Sequence, residues 1–261
     1  MLHLGHAHAA LFAWERARQA GGRFLLRLED IDPGRCRPEY AAAAQEDLAW
    51  LGLAWDGPVR VQSQHLPEYR AALERLAAAG LLYPCFCTRA DIAASAAAPH
   101  GPDGAPLYPG TCRGLPGAVV AGRLAAGERH ALRLDMAAAR RQTGPLEWQE
   151  AGEGRLPCRP EAFGDVVLAR KDAPASYHLC VTHDDAMQGV TLVTRAADLR
   201  PATGLHRLLQ ALLGWPVPKY AHHALLLDRQ GRRLAKRDGA VTLRALREGG
   251  ATPEQVRLMA R

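Results

Sequence analysis

Apolar residues recur with helical spacing near the start of the chain. Leu11, Phe12 and Trp14 lie in a segment over residues 6–20, which ends at a Gly-Gly pair as a helix does. The pattern predicts a helix there. Further helices are predicted over residues 39–51, 67–79, 177–187 and 203–213. The first, second and fourth of these are followed by a glycine at the expected C-terminal stop.

Short strand-like runs separate the predicted helices. They cover residues 23–28, 130–134, 146–150, 165–169, 190–194 and 223–227. Because strands and helices alternate along the chain, the pattern predicts an α/β fold with a parallel sheet. The amino-acid composition changes between Tyr83 and about Gly117, where cysteine, proline and glycine are frequent beside an alanine-rich stretch. We interpret this segment as an insertion into the α/β fold.

The composition is that of a globular protein with a sizeable core. Of the 261 residues, 48% are hydrophobic and 23% are charged, which excludes wholesale disorder. The formal net charge of +6 favours a polyanionic partner, although a solvated surface shaped by genomic base composition explains it equally well. Since no apolar run is long enough to span a bilayer and no secretory signal is visible, we expect a cytoplasmic protein without a membrane partner.

Two histidines flank a glycine directly before the first predicted helix. His3 and His6 enclose Leu4 and Gly5. A helix N-terminus offers unpaired backbone N–H groups and a positive dipole end, so imidazoles there can donate hydrogen bonds to a phosphate. Gly5 would let a nucleotide approach the backbone closely. For so short a motif, two surface histidines without a function are the alternative.

A basic turn follows the last predicted strand. Residues 233–239 read Arg-Leu-Ala-Lys-Arg-Asp-Gly. Basic side chains on a turn that ends in glycine can neutralise the β- and γ-phosphates of a nucleotide while pyrophosphate leaves. The alternative is a solvated basic hairpin.

Three of the six cysteines have the spacing of metal ligands. Cys85-x-Cys87 is followed by Tyr108-x-x-x-Cys112. In a cytosolic chain this spacing favours a metal site over disulfides. Three thiolates and a phenol can bind Zn²⁺ tetrahedrally, and the ion would stabilise an insertion that is too short to form a hydrophobic core. Three buried thiols without a metal are the alternative. We interpret the remaining cysteines as structural: Cys36, Cys158 and Cys180.

Four segments resemble motifs of the class I aminoacyl-tRNA synthetases, and they follow one another along the chain in the order found in that family. Residues 3–6 resemble the HIGH signature of that family, and residues 233–237 resemble its KMSKS loop. Residues 27–32, Arg-Leu-Glu-Asp-Ile-Asp, look like the R-[IL]-E-D-T-D stretch of glutamyl and glutaminyl synthetases. Residues 177–195 resemble their Y-x-L-x-x-x-x-D-D-x-x-x-G-V-T-x-x-x-R block. The resemblance implies a Rossmann-like nucleotide-binding α/β fold with a parallel sheet and a small zinc-bearing inserted subdomain.

The resemblance implies a nucleotide site and a metal site. The residues that would bind ATP, with the help of Mg²⁺, are His3, Gly5, His6, Arg233 and Lys236. The residues that would be catalytic are His3, His6 and Lys236. One Zn²⁺ per chain would be bound by Cys85, Cys87, Tyr108 and Cys112, an arrangement that resembles the zinc site of glutamate-specific members.

The resemblance also implies a glutamate site. Glu29 and Tyr177 would contact the ammonium group of the amino acid, and Arg195 would contact its side-chain carboxylate. Each residue has an alternative reading. Glu29 could simply close a strand, and Arg195 could pair with Asp198 on the surface.

Within this family, the chain resembles the small glutamyl-queuosine tRNA(Asp) synthetases. A full glutamyl-tRNA synthetase carries a large anticodon-reading helical domain after its KMSKS loop, whereas this sequence ends at Arg261, shortly after Lys236. The resemblance implies a monomer that activates L-glutamate with ATP and transfers it to the queuosine base at the wobble position of tRNA(Asp). The alternatives are a truncated glutamyl-tRNA synthetase that charges a tRNA 3′ end and a catalytically inactive RNA-binding module.

The resemblance implies four parts of the chain. Residues 1–82 and 161–228 would form the two halves of the catalytic domain, and residues 83–160 the inserted zinc-binding subdomain. Residues 229–261 would hold the KMSKS-like loop and a short helical tail, without an anticodon-binding domain.

The sequence departs from the family pattern at two places. Relatives carry a strand and an R-F-A-P-S-P-[ST]-G phrase before the HIGH motif. Either the start codon lies upstream of Met1, which is our hypothesis, or the chain lacks the first strand of its nucleotide-binding sheet. In the KMSKS-like loop Arg233 replaces a lysine and Ala235 replaces a serine. Lys236 is therefore the residue of the loop on which we expect adenylation to depend most.

Overall fold

The computed structural model describes residues 1–32, 34, 36–94, 100–227 and 241–261. The chain divides into two compact units. The first unit comprises residues 1–64, 194–197 and 221–261, and the second comprises residues 65–193 and 198–220. Each unit is thus assembled from segments that are distant in the sequence.

Helices and strands alternate along most of the described chain. The α-helices are α1 Leu4–Gln19, α2 Pro38–Trp50, α3 Leu66–Ala78, α4 Arg89–Ala94, α5 Gly117–Ala125, α6 Met136–Thr143, α7 Tyr177–Met187, α8 Ala202–Leu213, α9 Leu243–Glu248 and α10 Pro253–Met259. The strands are β1 Arg27–Leu28, β2 Arg60–Val61, β3 Leu82–Cys85, β4 Ala131–Leu134, β5 Glu147–Glu150, β6 Gly154–Pro157, β7 Val167–Ala169, β8 Leu192–Ala196 and β9 Lys219–His223.

The strands form three small sheets with both parallel and antiparallel pairs. Strands β1 and β2 pair in parallel, whereas the sheet β3-β4-β7 is antiparallel throughout. In the sheet of order β6-β5-β9-β8, strand β5 is parallel to β9 and antiparallel to β6. An α/β fold with parallel sheet segments is confirmed, but the expectation of a parallel sheet holds only for these segments.

A tight hairpin explains one of the antiparallel pairs. Strands β5 and β6 are joined by a short turn in which Gly152 has φ of 85°, a left-handed conformation that side chains other than glycine rarely adopt. Antiparallel strands can be joined by such a turn, whereas parallel strands need a long crossover. The sequence reading had no strand over β6 and therefore missed the hairpin.

The first unit has a core built from helices. Ala7 and Leu11 of α1 pack in one cluster with residues that lie in or just after α2, α9 and α10, namely Leu48, Leu51, Leu53, Leu243, Val256 and Ala260. Leu51, Leu53 and Leu243 are completely buried. Burying one leucine side chain stabilises a fold by roughly 1.5–3 kcal/mol, so this cluster fixes the start of α1 against the C-terminal helices.

The second unit has a core in which α3, α6 and α7 pack on α8. Leu205, Leu208 and Leu209 of α8 are completely buried, as is Leu179 of α7. Helix α7 begins after Ser176, whose side-chain oxygen accepts a hydrogen bond from the Leu179 N–H and so caps the first turn. The position of the first residues of α7 is therefore well defined.

The structure corrects several predicted elements. Helix α7 has the predicted bounds, and the other four predicted helices begin within two residues of their predicted starts. The strand predicted over residues 223–227 is wrong, because β9 runs over residues 219–223. The strand predicted over residues 23–28 is shorter in the structure, where β1 covers only Arg27–Leu28. The strand predicted over residues 190–194 begins and ends two residues later, as β8. Pairing with neighbouring strands, which a local pattern does not contain, decides these bounds.

Candidate active site

The two histidines of the HIGH-like motif cap the start of α1. The Nδ1 atom of His3 accepts a hydrogen bond from the Gly5 N–H at 3.1 Å. The Nδ1 atom of His6 accepts one from the His3 N–H, also at 3.1 Å, so the two residues form a reciprocal capping box. Their ring centroids lie 3.9 Å apart. The structure thus brings His3, Gly5 and His6 together as predicted.

This capping geometry fixes which ring nitrogen carries the proton. A ring nitrogen that accepts a hydrogen bond has no hydrogen, so in each neutral imidazole the hydrogen lies on Nε2. His3 and His6 therefore each keep an Nε2–H group that the cap does not use. Helix α1 has no acidic residue in its first turn, and its N-terminus is the positive end of the helix dipole. The arrangement thus places two ring N–H donors at the positive end of a helix.

The segment that resembles R-[IL]-E-D-T-D surrounds strand β1 in the first unit. The Asp30 carboxylate accepts hydrogen bonds from both the backbone N–H and the hydroxyl of Ser63, at 2.8 and 2.7 Å. Glu29 lies 3.5 Å from Arg27, measured from Oε1 to Nε, and its side chain is 40% exposed. Asp30 therefore holds the segment in place, while the side chain of Glu29 is partly exposed to solvent.

The other two predicted glutamate ligands differ in burial. Arg195 lies on β8, in the part of the strand that belongs to the first unit, and is only 8% exposed. Tyr177 is the first residue of α7 in the second unit and is 39% exposed. Arg233 and Lys236, the predicted phosphate ligands of the KMSKS-like loop, lie outside the described residues.

The four predicted zinc ligands converge in the second unit. The Sγ atoms of Cys85, Cys87 and Cys112 all lie within 4.8 Å of one another, with Cys87 and Cys112 at 3.5 Å. The Tyr108 hydroxyl lies 3.6 Å from the Cys87 Sγ. In a tetrahedral zinc site with Zn–S bonds of about 2.3 Å, two sulfurs are roughly 3.8 Å apart. The residues present thus fit a four-coordinate metal ion.

Hydrogen bonds favour a thiolate at one of these cysteines. Burial raises the pKa of Cys112, but hydrogen bonds from the Tyr108 hydroxyl and the Phe86 N–H outweigh burial and lower the pKa to about 7. Burial raises the pKa of Cys87 and of Tyr108. Since thiolates are the form that binds metals, Cys112 is prepared for a cation, and the other ligands would lose their protons as the ion binds.

A buried aspartate that the sequence reading missed ties this loop to the rest of the second unit. The Asp165 carboxylate, 4% exposed, accepts hydrogen bonds from the Tyr83 hydroxyl at 2.6 Å, from Arg113 at 2.8 Å and from the Met136 N–H at 3.0 Å. Arg113 directly follows the metal-ligand candidate Cys112. No spacing in the sequence links Asp165 to these partners, because they come together only through the sheet β3-β4-β7.

Comparison with known families decides the class of the protein. A family model described as "tRNA synthetases class I (E and Q), catalytic domain" matches residues 1–260. The chain belongs to the class I tRNA synthetases of the E and Q type. The family resemblance carried by the motifs is thereby confirmed, and this E/Q-type synthetase is an enzyme of the aminoacyl-tRNA synthetase kind.

Curated relatives place the E/Q-type synthetase near one branch of the family. It is 52% identical to the "Glutamyl-Q tRNA(Asp) synthetase" of Rhodobacter capsulatus over 98% of this chain and 94% of the relative. It is 50% identical to the protein of the same name from Nocardia farcinica, over 98% of this chain and 78% of the relative. The "Glutamate--tRNA ligase" of Aquifex aeolicus is more distant, at 37% identity.

Solved structures of glutamate–tRNA ligases share the fold of the E/Q-type synthetase. The ligase of Elizabethkingia meningosepticum, solved in complex with its amino acid, has a TM-score of 0.75 and 28% sequence identity over 91% of this chain. The chain spans about half the length of that ligase, since it covers 50% of it. Among the residues that the structure describes, no helix is both long and apolar enough to cross a membrane.

Proposed function

We propose that this chain activates L-glutamate with ATP and transfers the glutamyl group to the queuosine base at the wobble position of tRNA(Asp). The observation that carries the proposal is the 52% identity, over 98% of this chain, to a relative named for that tRNA. The tandem imidazoles at the start of α1 support the activation step, because they suit a nucleotide phosphate.

The activation step is an in-line displacement at the α-phosphate of ATP. A glutamate α-carboxylate oxygen forms a bond to phosphorus, and the bond from phosphorus to the pyrophosphate oxygen breaks. The Nε2–H groups of His3 and His6 donate to phosphate oxygens as negative charge develops there. Gly5, which lies between them, lets the nucleotide approach the backbone. Mg²⁺ supplies additional charge neutralisation on the phosphates.

The leaving pyrophosphate needs cations on its other side. Arg233 and Lys236 would supply them from the KMSKS-like loop, which lies outside the described residues. A point charge such as that of Lys236 can follow a phosphate group as it departs. The two histidines and this lysine are thus the residues that we propose as catalytic.

The glutamate site uses charge complementarity. Arg195 is nearly buried, and a guanidinium in such surroundings pairs strongly with a carboxylate, here the side chain of glutamate. Glu29 and the Tyr177 hydroxyl would accept hydrogen bonds from the ammonium group. These three residues together would select an amino acid with an acidic side chain.

The transfer step needs little from the protein besides positioning. A hydroxyl oxygen of the queuosine cyclopentene ring forms a bond to the glutamyl carbonyl carbon, and AMP leaves with the electrons of the anhydride bond. The hydroxyl proton passes to solvent or to the phosphate of the departing AMP. Because the mixed anhydride is already reactive, the main task of the enzyme is to hold the modified base against it.

We propose further that Zn²⁺ binds to Cys85, Cys87, Tyr108 and Cys112. The support is the convergence of these side chains at distances that suit a tetrahedral ion. Bound zinc would staple an inserted subdomain over residues 83–160. We also propose that residues 1–82 and 161–228 form the two halves of a Rossmann-like catalytic domain. The enzyme would be a monomer in the cytoplasm.

Labelled glutamate offered to two forms of tRNA(Asp) tests the proposed function. We expect glutamate-dependent exchange of pyrophosphate into ATP, and label on tRNA(Asp) that carries queuosine but not on the same tRNA with guanosine at that position. Equal labelling of both tRNAs would instead identify a truncated synthetase that charges the 3′ end. A protein with neither exchange nor labelling would be an inactive RNA-binding module.

A further inference from the structure

Helices α7 and α8 bring two imidazoles into direct contact in the second unit. The Nδ1 atom of His178 lies 3.0 Å from the Nε2 atom of His206, within hydrogen-bond distance. His206 is 1% exposed and lies on the part of α8 that packs against α7. The family motifs that we compared with this sequence assign no role to His206.

The phenol ring of Tyr177 rests against this pair of imidazoles. The ring centroid of Tyr177 lies 5.5 Å from that of His178 and 6.2 Å from that of His206. Phe163, which precedes β7, also packs against His178, with ring centroids 6.2 Å apart. Tyr177 itself is 39% exposed. One part of its ring therefore faces solvent, while the rest is held by aromatic neighbours.

The hydrogen bond between the two imidazoles restricts the rotation of both rings, which an isolated ring would not experience. A hydrogen bond between two imidazoles requires one nitrogen to donate and the other to accept, so both rings are fixed in rotation at once. Removal of His206 takes this hydrogen bond away from His178, whose side chain is half-buried. His178 is then expected to turn towards another partner and to move the contact that it makes with Tyr177.

Tyr177 depends on such contacts because of its position. It is the first residue of α7, directly after the Ser176 cap, so the backbone is fixed there while no preceding helical turn confines the side chain. Its ring contacts the rings of His178 and His206.

We propose that His206 is a positioning residue for the site that binds the ammonium group of the amino acid substrate. It holds His178 by the 3.0 Å hydrogen bond, and the two imidazoles together aim the Tyr177 hydroxyl. His206 itself touches no reacting atom. This inference rests on the proposed function, in which Tyr177 contacts the ammonium group of glutamate.

Steady-state pyrophosphate exchange by three variants tests the proposal. His206→Ala removes the partner of His178, whereas His206→Gln keeps a polar atom close to the position of Nε2. His183→Gln is the matched control, because His183 is also buried, at 5% exposure, and lies on α7, but contacts Asp184 and Trp215 instead of Tyr177. The KM values for glutamate and for ATP are measured separately for each variant.

We expect the KM for glutamate to change while the KM for ATP does not. His206→Ala raises the KM for glutamate about tenfold and changes the KM for ATP by less than about twofold, because only ammonium binding is disturbed. His206→Gln returns the KM for glutamate to within about threefold of wild type. His183→Gln leaves both KM values near wild type. An equal rise of both KM values in His206→Ala, or the same glutamate effect in His183→Gln, would overturn the proposal.

A second readout does not depend on activity. In protein labelled with ¹³C-tyrosine, the ring resonance of Tyr177, assigned by its loss in Tyr177→Phe, reports on the neighbouring imidazole rings. We expect it to move in His206→Ala and not in His183→Gln; an unmoved resonance overturns the proposal. Absence of glutamate-dependent exchange by the wild-type enzyme would instead show that the proposed function itself has failed.

Discussion

At the scale of single residues, the capping box of α1 gives His3 and His6 two tasks. Each Nδ1 atom accepts a backbone hydrogen bond at 3.1 Å, which puts the hydrogen of each neutral ring on Nε2. The sequence alone predicted the motif and its place at a helix start. It did not predict the cap, because histidine is not among the residues usually found at that position.

The two tasks of His3 can be separated by substitution. In His3→Asn the amide oxygen takes the place of Nδ1 as the acceptor for the Gly5 N–H, but no group replaces Nε2–H. We expect a melting temperature near that of wild type and a fall of about 100-fold in the pyrophosphate exchange rate, as for loss of one transition-state donor. Exchange at the wild-type rate would show that this imidazole does not stabilise the phosphates.

Lys236 is the residue of the KMSKS-like loop on which we expect activation to depend. Lys236→Ala should reduce ATP–pyrophosphate exchange by about 100-fold or more, because the charge that stabilises leaving pyrophosphate is lost. Lys236→Arg, which keeps the charge, is the control and should retain more activity. Near wild-type exchange by Lys236→Ala would contradict the role.

Asp47 of α2 is a buried carboxyl that gives a prediction about pH. It is 1% exposed, and neither oxygen has a hydrogen-bond partner among the described residues. Burial raises its pKa above the usual 3.8, although Arg247 and Arg244 oppose the shift. The folded state therefore binds the proton more tightly than the unfolded state, so stability falls as pH rises from 3.8 through the raised pKa.

Asp47→Asn tests this pH dependence. We expect the variant to be more stable than wild type at pH 8 by up to about 1 kcal/mol, because it buries no charge. The difference should shrink as pH falls through the raised pKa of Asp47, because the wild-type carboxyl then takes up a proton. Thermal unfolding of both proteins across this pH range measures the effect. A variant that is less stable than wild type at pH 8 would contradict the expected cost of the buried charge.

At the scale of elements, local signals predicted the helices better than the strands. Helix α7 has the bounds that the sequence predicted, and the side chain of Ser176 caps its start. Strand β9 does not, because pairing with β5 selects residues 219–223 over the apolar run 225–227 that follows. A strand is stabilised by partners that are distant in the sequence, which a local pattern cannot contain.

The loop that carries the cysteines yields a prediction about metal removal. We expect purified protein to contain about one Zn²⁺ per chain, and a strong chelator to lower its melting temperature, because a metal ion that binds only the folded chain stabilises it. Cys87→Ser should lose the metal. Cys158→Ala, a buried cysteine outside the cluster, should keep it. Metal-free protein with an unchanged melting temperature would contradict the zinc proposal.

At the scale of the whole molecule, the motifs and their order predicted the family, which the match over residues 1–260 confirmed. The α/β class also followed from the sequence. The division into two units did not, since each unit joins segments such as 1–64 and 221–261 that only folding brings together. Roles for Glu29, Tyr177 and Arg195 stay predictions, because their chemistry depends on a substrate.

The place of the glutamate on the tRNA tests the central claim most directly. Queuosine-containing tRNA(Asp) is incubated with the enzyme, ATP and labelled glutamate, and nuclease digestion then separates the anticodon fragment from the 3′-terminal adenosine. The account predicts the label on the anticodon fragment, in a glutamyl ester of the modified base. Label on the terminal adenosine would contradict it.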